Sequence, residues 1–314
     1  WGRRVIINKK LGQKGAGTDT ADLDELTYLL ESGSDRIGAL DFQQSPTEYV
    51  PRNANNVSME ELIASAERVE QGIPLTPELD QALFHGSSIG GARPKALVEE
   101  GGKKYVAKFS SSTDLYSVVK AEYIAMRLAE LAGLDVAPAA LTKAANRDVL
   151  LVERFDRKPK AGKWTRKAMV SALTLFALDD MMARYASYET LSEIIRHRFT
   201  NPRPTLKEMF SRLTFNILCG NTDDHARNHA AFWDGSELTL TPAYDICPQG
   251  RTGNEASQAM RIYGDNNLSR LKSCLDTAHN FLLTEEEARN IFHHQITAIE
   301  QHWETVCKEA ELNE

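Results

Sequence analysis

The apolar residues of this 314-residue chain change their period part-way along, and that change limits the architecture more than any other feature. Up to about residue 157 they come mostly in short runs cut by glycine or polar turns, as in "ALVEEGGKKYVAKF" and "VAPAALTKAANRDVLLVERFD". Period-two strands joined by tight turns have that texture. From Thr165 onward the spacing is mostly helical, as in "PTLKEMFSRLTFNILCG", where Leu206, Met209, Phe210, Leu213 and Ile217 share one face. A chain of this length can bury a sizeable core in one domain or in two coupled lobes. The expectation is an α+β fold of two lobes, a small mixed α/β lobe over residues 1–157 and a larger, mostly helical lobe over residues 158–314.

Local signals fill in this division. A helix runs to about Glu31, and "DRIGALDF" reads as a turn leading into a strand. Ser58 and Glu61 form a capping box ahead of Leu62, Ile63, Ala66 and Val69, and another helix starts at Thr76 with Pro77 in its first position. Gly101 and Gly102 separate two apolar runs, which makes a hairpin. A helix from Val118 buries Ile124, Leu128 and Leu131. The basic stretch "RKPKAGKWTRK" reads as a solvated loop, with docking of an acidic partner or an RNA-bound enzyme as the alternative. Thr284 and Glu287 cap the last helix, whose stripe is Ile291, Ile299, Trp303 and Val306.

The function classes narrow next. Asp and Glu outnumber Lys and Arg, 44 to 37, so there is no general electrostatic drive towards nucleic acid and no direct binding to it is expected. No apolar run approaches the roughly 18 to 20 residues that span a bilayer, and no cleaved-signal pattern opens the chain. The four cysteines are widely spaced and include no CxxC pair, which argues against a disulfide framework or a cysteine zinc site. A reducing, cytoplasmic setting is expected. The chain begins with Trp1 and not Met, so a signal or domain can lie upstream.

The densest chemistry lies in "GNTDDHARNHAAF", residues 220–232. Asp223 and Asn228 are five residues apart, the separation of proton-accepting Asp and metal-holding Asn in the kinase loop pattern D-x-x-x-x-N. Asp245 follows a hairpin and can supply a second metal-binding carboxylate. The same letters allow a metal hydrolase built on His225, His229 and the nearby aspartates. A turn that caps itself with Asp and Asn side chains also fits. Asp224 either orients the loop of the base or faces solvent, and solvent is the expectation.

Upstream residues favour phosphotransfer by their order. Lys108 lies late on the strand "YVAKF", with Val106 on the same side, and Glu122 on the next helix is placed to hold it by an ion pair. Before them, "GSSIGGARPK" offers Gly86, Gly90 and Gly91 for close backbone approach to phosphates, with Ser87, Ser88 and Lys95 alongside. It is neither GxGxxG nor a Walker loop, and an ordinary turn explains its glycines equally well.

Together "WGRR", "DRIGAL", "SSIGGARPKA", "VERFDR", "TDDHARNHA" and "YDI" resemble the HipA family of bacterial serine/threonine kinases, the toxin components of toxin–antitoxin pairs, from residue 1 to about residue 300. The resemblance implies a two-lobed protein-kinase-like fold that uses ATP and Mg2+. It makes Asp223 the catalytic base, Asn228 and Asp245 the magnesium ligands, Lys108 the strand lysine, and His225 an orienter of the loop. Ser88, or neighbouring Ser87, becomes a site of regulatory autophosphorylation. "VERFDR" falls between the lobes, with Glu153 and Phe155 beside the adenine. The implied partners are a protein substrate, by analogy an aminoacyl-tRNA synthetase, and a HipB-like helix-turn-helix antitoxin. In the family "WGRR" lies inside the N-terminal subdomain, so the resemblance implies that the first part of that subdomain is missing here. A nucleotide-binding regulatory protein without turnover stays open, as does a kinase-fold enzyme acting on a lipid or small molecule.

Overall fold

The computed structural model describes residues 3, 6–7, 24–52, 58–71, 73, 88–91, 93–110, 114, 116–250 and 253–312. The helix expected at Thr76 falls outside these residues. The chain divides into two compact units, one of Trp1–Val119 with Ala140–Arg166, the other of Lys120–Ala139 with Lys167–Glu314. Most of the helix that starts at Val118 therefore counts with the second unit.

The first unit is built on a four-stranded antiparallel sheet, β1 (Lys95–Glu100), β2 (Lys103–Phe109), β3 (Ala139–Ala144) and β4 (Arg147–Glu153), in the order β1-β2-β4-β3. Its hairpins close through two-residue turns with positive φ at both positions, Gly101 and Gly102 at 57° and 73°, Ala145 and Asn146 at 47° and 61°. That geometry matches the right-handed twist of the strands. Helix α1 (Glu25–Glu31) is capped by Asp24, and α2 (Met59–Glu70) carries the expected Ser58–Glu61 capping box. On α2 the predicted face, Leu62, Ile63, Ala66 and Val69, is buried against Ala96, Ala107, Phe109, Val149 and Leu151 of the sheet. Burial of the larger of these, such as Leu62, Ile63, Phe109 and Leu151, contributes about 1.5–3 kcal/mol each.

Two expectations fail in this unit. "DRIGALDF" forms no strand; its backbone is irregular because buried side chains, and not a neighbouring strand, satisfy it. Asp156 accepts from Gly38 N at 2.7 Å, and Arg157 donates to Gly38 O at 2.9 Å. The basic stretch is not a loop but a hairpin, β5 (Arg157–Lys160) and β6 (Lys163–Arg166), which turns through Ala161 and Gly162 at φ 50° and 74°. Pro159 is tolerated because a two-stranded ribbon has free edges.

The second unit is mainly helical. It contains α3 (Val118–Leu131) apart from its first two residues, a short α4 (Ala172–Leu175), α5 (Tyr188–Arg198), α6 (Pro202–Cys219), α7 (Leu271–Thr277) and α8 (Glu285–Glu309). A small sheet, β7 (Ala168–Ser171), β8 (Ala230–Trp233) and β9 (Leu238–Leu240), accompanies them in the order β7-β8-β9. The β8-β9 hairpin was expected; β7 was not.

Helix α6 is the axis of this core. Pro202 occupies its first position and Gly220 stops it at φ 77°, a left-handed cap that costs glycine nothing. The predicted face is buried, and Phe210 lies edge-on to Phe281 and stacked on Phe292, with centroids 5.4 and 6.1 Å away. The last helix has its Thr284–Glu287 capping box, but its buried stripe is Ala288, Phe292, Gln295, Ala298 and Val306. Trp303 is 50% exposed. The core selected the polar Gln295 because Thr214 donates to it at 2.8 Å and it donates to Ser211 O at 2.8 Å. Among the described residues no helix is long and apolar enough to cross a membrane.

Candidate active site

Strand register explains the first cluster. Lys95 on β1 lies opposite Lys108 on β2, which lies opposite Leu150 on β4, so the three share a face. Two residues along, Leu97, Val106 and Val152 form the next row of that face. The opposite face holds Ala96, Ala107 and Val149, packed with α2. Both lysines are buried, and so are Leu97 and Val152. Two cationic side chains on one face, beside apolar neighbours, suit an anionic phosphate group.

The glycine-rich segment meets the same face. Gly91 sits at φ 99°, and a Cβ built there would run into Lys95 Nζ. The backbone angle calls for glycine, and any side chain there would also displace the Lys95 ammonium group. Ile89 is buried, and half-buried Ser88 donates from Oγ to Asp35 O at 3.4 Å. Gly86 and Ser87 lie outside the described residues. Arg93 pairs with Asp114 at 2.6 Å.

Asp35 belongs to a largely buried charge network with Lys104, Arg154, Asp156 and Arg157. Asp156 accepts from Arg154 Nε at 2.9 Å and Arg154 Nη2 at 2.8 Å, and from Arg157 Nη1 at 2.8 Å. Arg154 and Arg157 also bond to Asp35, at 3.1 and 2.8 Å, and Lys104 reaches it at 2.8 Å. Burial alone would raise the Asp35 pKa; Arg154, Lys104 and Arg157 outweigh it and hold the carboxyl well below the usual range. Glu153 turns to Lys103 at 2.6 Å, and Phe155 is half-buried. Glu122 is buried on α3, in the second unit.

The second cluster is the loop after α6. Asp223 is exposed and Asn228 buried, and they are joined because Asn228 Nδ2 donates to Asp223 O at 3.4 Å while Asn228 N donates to His225 O at 2.8 Å. With its amide nitrogen turned to the backbone, Asn228 keeps its oxygen as an acceptor for a cation. His225 is half-buried, and its Nδ1 meets no hydrogen-bond partner. The loop is tied from several sides, through Ala172 N to His229 O at 2.8 Å, Ala259 N to Thr222 O at 2.9 Å and Gln249 N to Gly220 O at 3.0 Å.

Those ties bring the segment that contains Asp245 to the loop. Tyr244 Oη donates to Arg227 O at 2.8 Å, and Tyr244 lines a polar cavity of about 10 Å3 with Asn216, Asp224, Asn228 and His229. Asp245 has φ 61°, a left-handed value that costs a non-glycine residue about 1–3 kcal/mol and tends to mark functional positions.

Asp224 does not face solvent, the expectation for a charged residue in a turn. Asp224 is 1% exposed, accepts a short hydrogen bond from Tyr188 Oη, and lies 2.9 Å from His229 Nε2. His229 Nε2 is also 3.1 Å from Tyr188 Oη, with the rings edge to face. His229 is therefore committed to Asp224 and Tyr188, and among the described residues no three His, Cys, Asp or Glu side chains converge to hold a metal. A His/Asp hydrolase cluster is not formed. The amide and carboxylate oxygens of Asn228 and Asp245 are hard donors of the kind that suit magnesium, which keeps waters and phosphates as its other ligands.

An antiparallel sheet with two buried lysines on one face, together with a helical unit presenting D-x-x-x-x-N beside a left-handed aspartate, defines a two-lobed kinase-like fold. The chain belongs to the HipA-like family: the sequence model described as HipA-like C-terminal domain matches residues 87–303, more than half of the chain. The Y4mE protein of Sinorhizobium fredii is 27% identical over 269 residues, 78% of this chain and 60% of its own length. The serine/threonine-protein kinase toxin HipA of Shewanella oneidensis is 25% identical over 263 residues, 70% of this chain and 59% of its own. The chain thus spans about three-fifths of the length of these curated relatives. Among solved structures, a chain from the complex of HipA, HipB and operator DNA of the Shewanella oneidensis toxin–antitoxin system matches with a TM-score of 0.73. That match has 21% identity and covers 97% of this chain and 76% of the other, which is a likeness of fold.

Proposed function

We propose that this chain is an ATP- and Mg2+-dependent serine/threonine protein kinase of the HipA type. The observation that carries the reading is the loop holding Asp223 and Asn228 beside left-handed Asp245, in a chain of the HipA-like family. Asp223 orients the attacking hydroxyl and takes its proton as the new O–P bond forms and the bond from the γ-phosphorus to ADP breaks. Asn228 and Asp245 would hold Mg2+, which would supply charge neutralisation at the phosphates. Lys95 and Lys108 contact phosphate from the sheet face, where Gly90 and Gly91 allow close backbone approach, and Leu97, Val106 and Val152 offer apolar surface to the base. Glu122 is the proposed ion-pair partner of Lys108, Glu153 and Phe155 are the proposed neighbours of the adenine, and His225 orients the loop. Ser88 is the proposed regulatory autophosphorylation site. A HipB-like antitoxin is the proposed partner, from the likeness to the Shewanella oneidensis system.

The test is intact mass before and after incubation with Mg-ATP, beside Asp223→Asn and Asp245→Asn. The parent is expected to gain phosphate. Asp223→Asn should gain none yet still bind nucleotide, and Asp245→Asn should also lose affinity for Mg-nucleotide. A parent that starts unphosphorylated, binds Mg-ATP and transfers phosphate neither to itself nor to generic protein acceptors would refute the kinase reading.

A further inference from the structure

The proposed base and metal ligand, Asp223 and Asn228, are each followed by a residue that turns inward, Asp224 and His229. These inward residues meet beneath the loop, with Asp224 Oδ1 and His229 Nε2 2.9 Å apart. Tyr188 closes the cluster from another element, donating from Oη to Asp224 and lying 3.1 Å from His229 Nε2. Tyr188 begins α5 and is fully buried; its own amide is fixed to Arg261 O at 2.9 Å. The platform under the loop is therefore set by two further parts of the fold.

The charge makes the arrangement selective. A buried carboxylate is tolerable only while donors reach it. Here the donors are the Tyr188 hydroxyl, kept protonated by burial and by Asp224, and the His229 ring. If the loop slid over α5, Asp224 would lose the Tyr188 hydroxyl, and if the two ends of the loop parted it would lose His229, so the low-energy loop is one in which positions 224 and 229 are locked together. Positions 223 and 228 carry the same spacing one residue earlier.

We propose that Asp224, Tyr188 and His229 are positioning residues that set the separation of Asp223 and Asn228 from below, a role that rests on the kinase reading of those two residues. None of the three touches the reacting atoms. They act by holding the loop at the geometry that proton transfer and metal binding need. Misplacement of such groups by about 1 Å costs on the order of a hundredfold in rate.

The experiment uses the full chain with Asp224→Ala, Asp224→Asn and Tyr188→Phe, and three readouts: phosphate transfer, Mn2+ affinity in the presence of a non-hydrolysable ATP analogue, and melting temperature. Asp224→Ala is expected to lose roughly 10- to 100-fold in transfer and about tenfold in Mn2+ affinity, the range for groups that hold metal ligands. Nucleotide affinity without metal should not move. Asp224→Asn, which keeps an acceptor for Tyr188, should recover part of the loss, and Tyr188→Phe should fall between parent and Asp224→Ala. A lower melting temperature with transfer and Mn2+ affinity of the folded protein unchanged would overturn the proposal. If Asp224→Ala does not fold, Tyr188→Phe carries the test, since it removes one oxygen. A parent that binds the Mn2+-nucleotide but transfers no phosphate would sink the kinase reading while the affinity series still decided the positioning role. A parent that binds no Mn2+-nucleotide would overturn both.

Discussion

Replacing Asp156 by asparagine removes one negative charge from the buried network while preserving its shape. The wild-type carboxylate accepts from Arg154 twice, from Arg157 and from Gly38 N, all at 2.7–2.9 Å, and the side chains of Arg154 and Arg157 are each 1% exposed. Asparagine must point an NH2 group at donors, and it leaves two guanidinium groups with Asp35 as their principal counter-charge. Breaking a buried pair from one side costs about 3–5 kcal/mol, against about 0–1 kcal/mol for an exposed pair. With a urea m value of about 2 kcal/mol/M, the midpoint for the first unit should fall by roughly 1.5–2.5 M. Asp35 is 27% exposed on its side chain, so Asp35→Asn should cost less. Urea unfolding followed by hydrogen exchange of peptides over residues 35–41 and 149–166 reads the effect in the right unit. Because Asp35 O accepts from Ser88, loosening should spread to the glycine-rich segment and lower nucleotide affinity. A midpoint shift for Asp156→Asn no larger than that for Arg147→Ala, which disrupts the more exposed pair with Glu67 in the same unit, would refute the assigned energetics.

Three further outcomes follow from the same physics. The Asp35 pKa is depressed by folding, so its contribution is fully present above the unfolded carboxylate value of about 3.9 and is lost as pH falls below it towards the folded value. Stability of the first unit should therefore drop steeply below about pH 4, and Asp35→Asn should flatten that slope when unfolding is followed across pH. Gly91→Ala forces a side chain onto φ 99° and displaces Lys95 Nζ; it should weaken Mg-ATP binding in calorimetry by about tenfold, or about 1.4 kcal/mol, with the fold kept. Thr284→Ala removes the capping box of α8 and should cost about 1 kcal/mol in denaturant unfolding of the second unit, without altering nucleotide affinity.

Local chemistry by itself determined a good part of this protein. The capping boxes at Ser58 and Thr284, the glycine stop at Gly220, the hairpin at Gly101 and Gly102 and the buried faces of α2 and α6 all depend on neighbours within a few residues, so their signals survive in a linear reading. The spacing of Asp223 and Asn228 was legible for the same reason, although the function of the pair is a proposal. Tertiary structure decided what depends on distant partners. Asp224 looks like a solvated loop residue until Tyr188, 36 positions away, supplies the hydroxyl that lets its charge be buried. "DRIGALDF" reads as a strand until Arg154 and Arg157, more than 115 positions on, take up its backbone oxygens. Trp303 has the right period for the core, but the packing of α8 turned Gln295 inward, where Thr214 and Ser211 could satisfy its amide. Periodicity says which residues are able to be buried; only the partners that arrive from elsewhere in the chain determine which burial has the lower free energy.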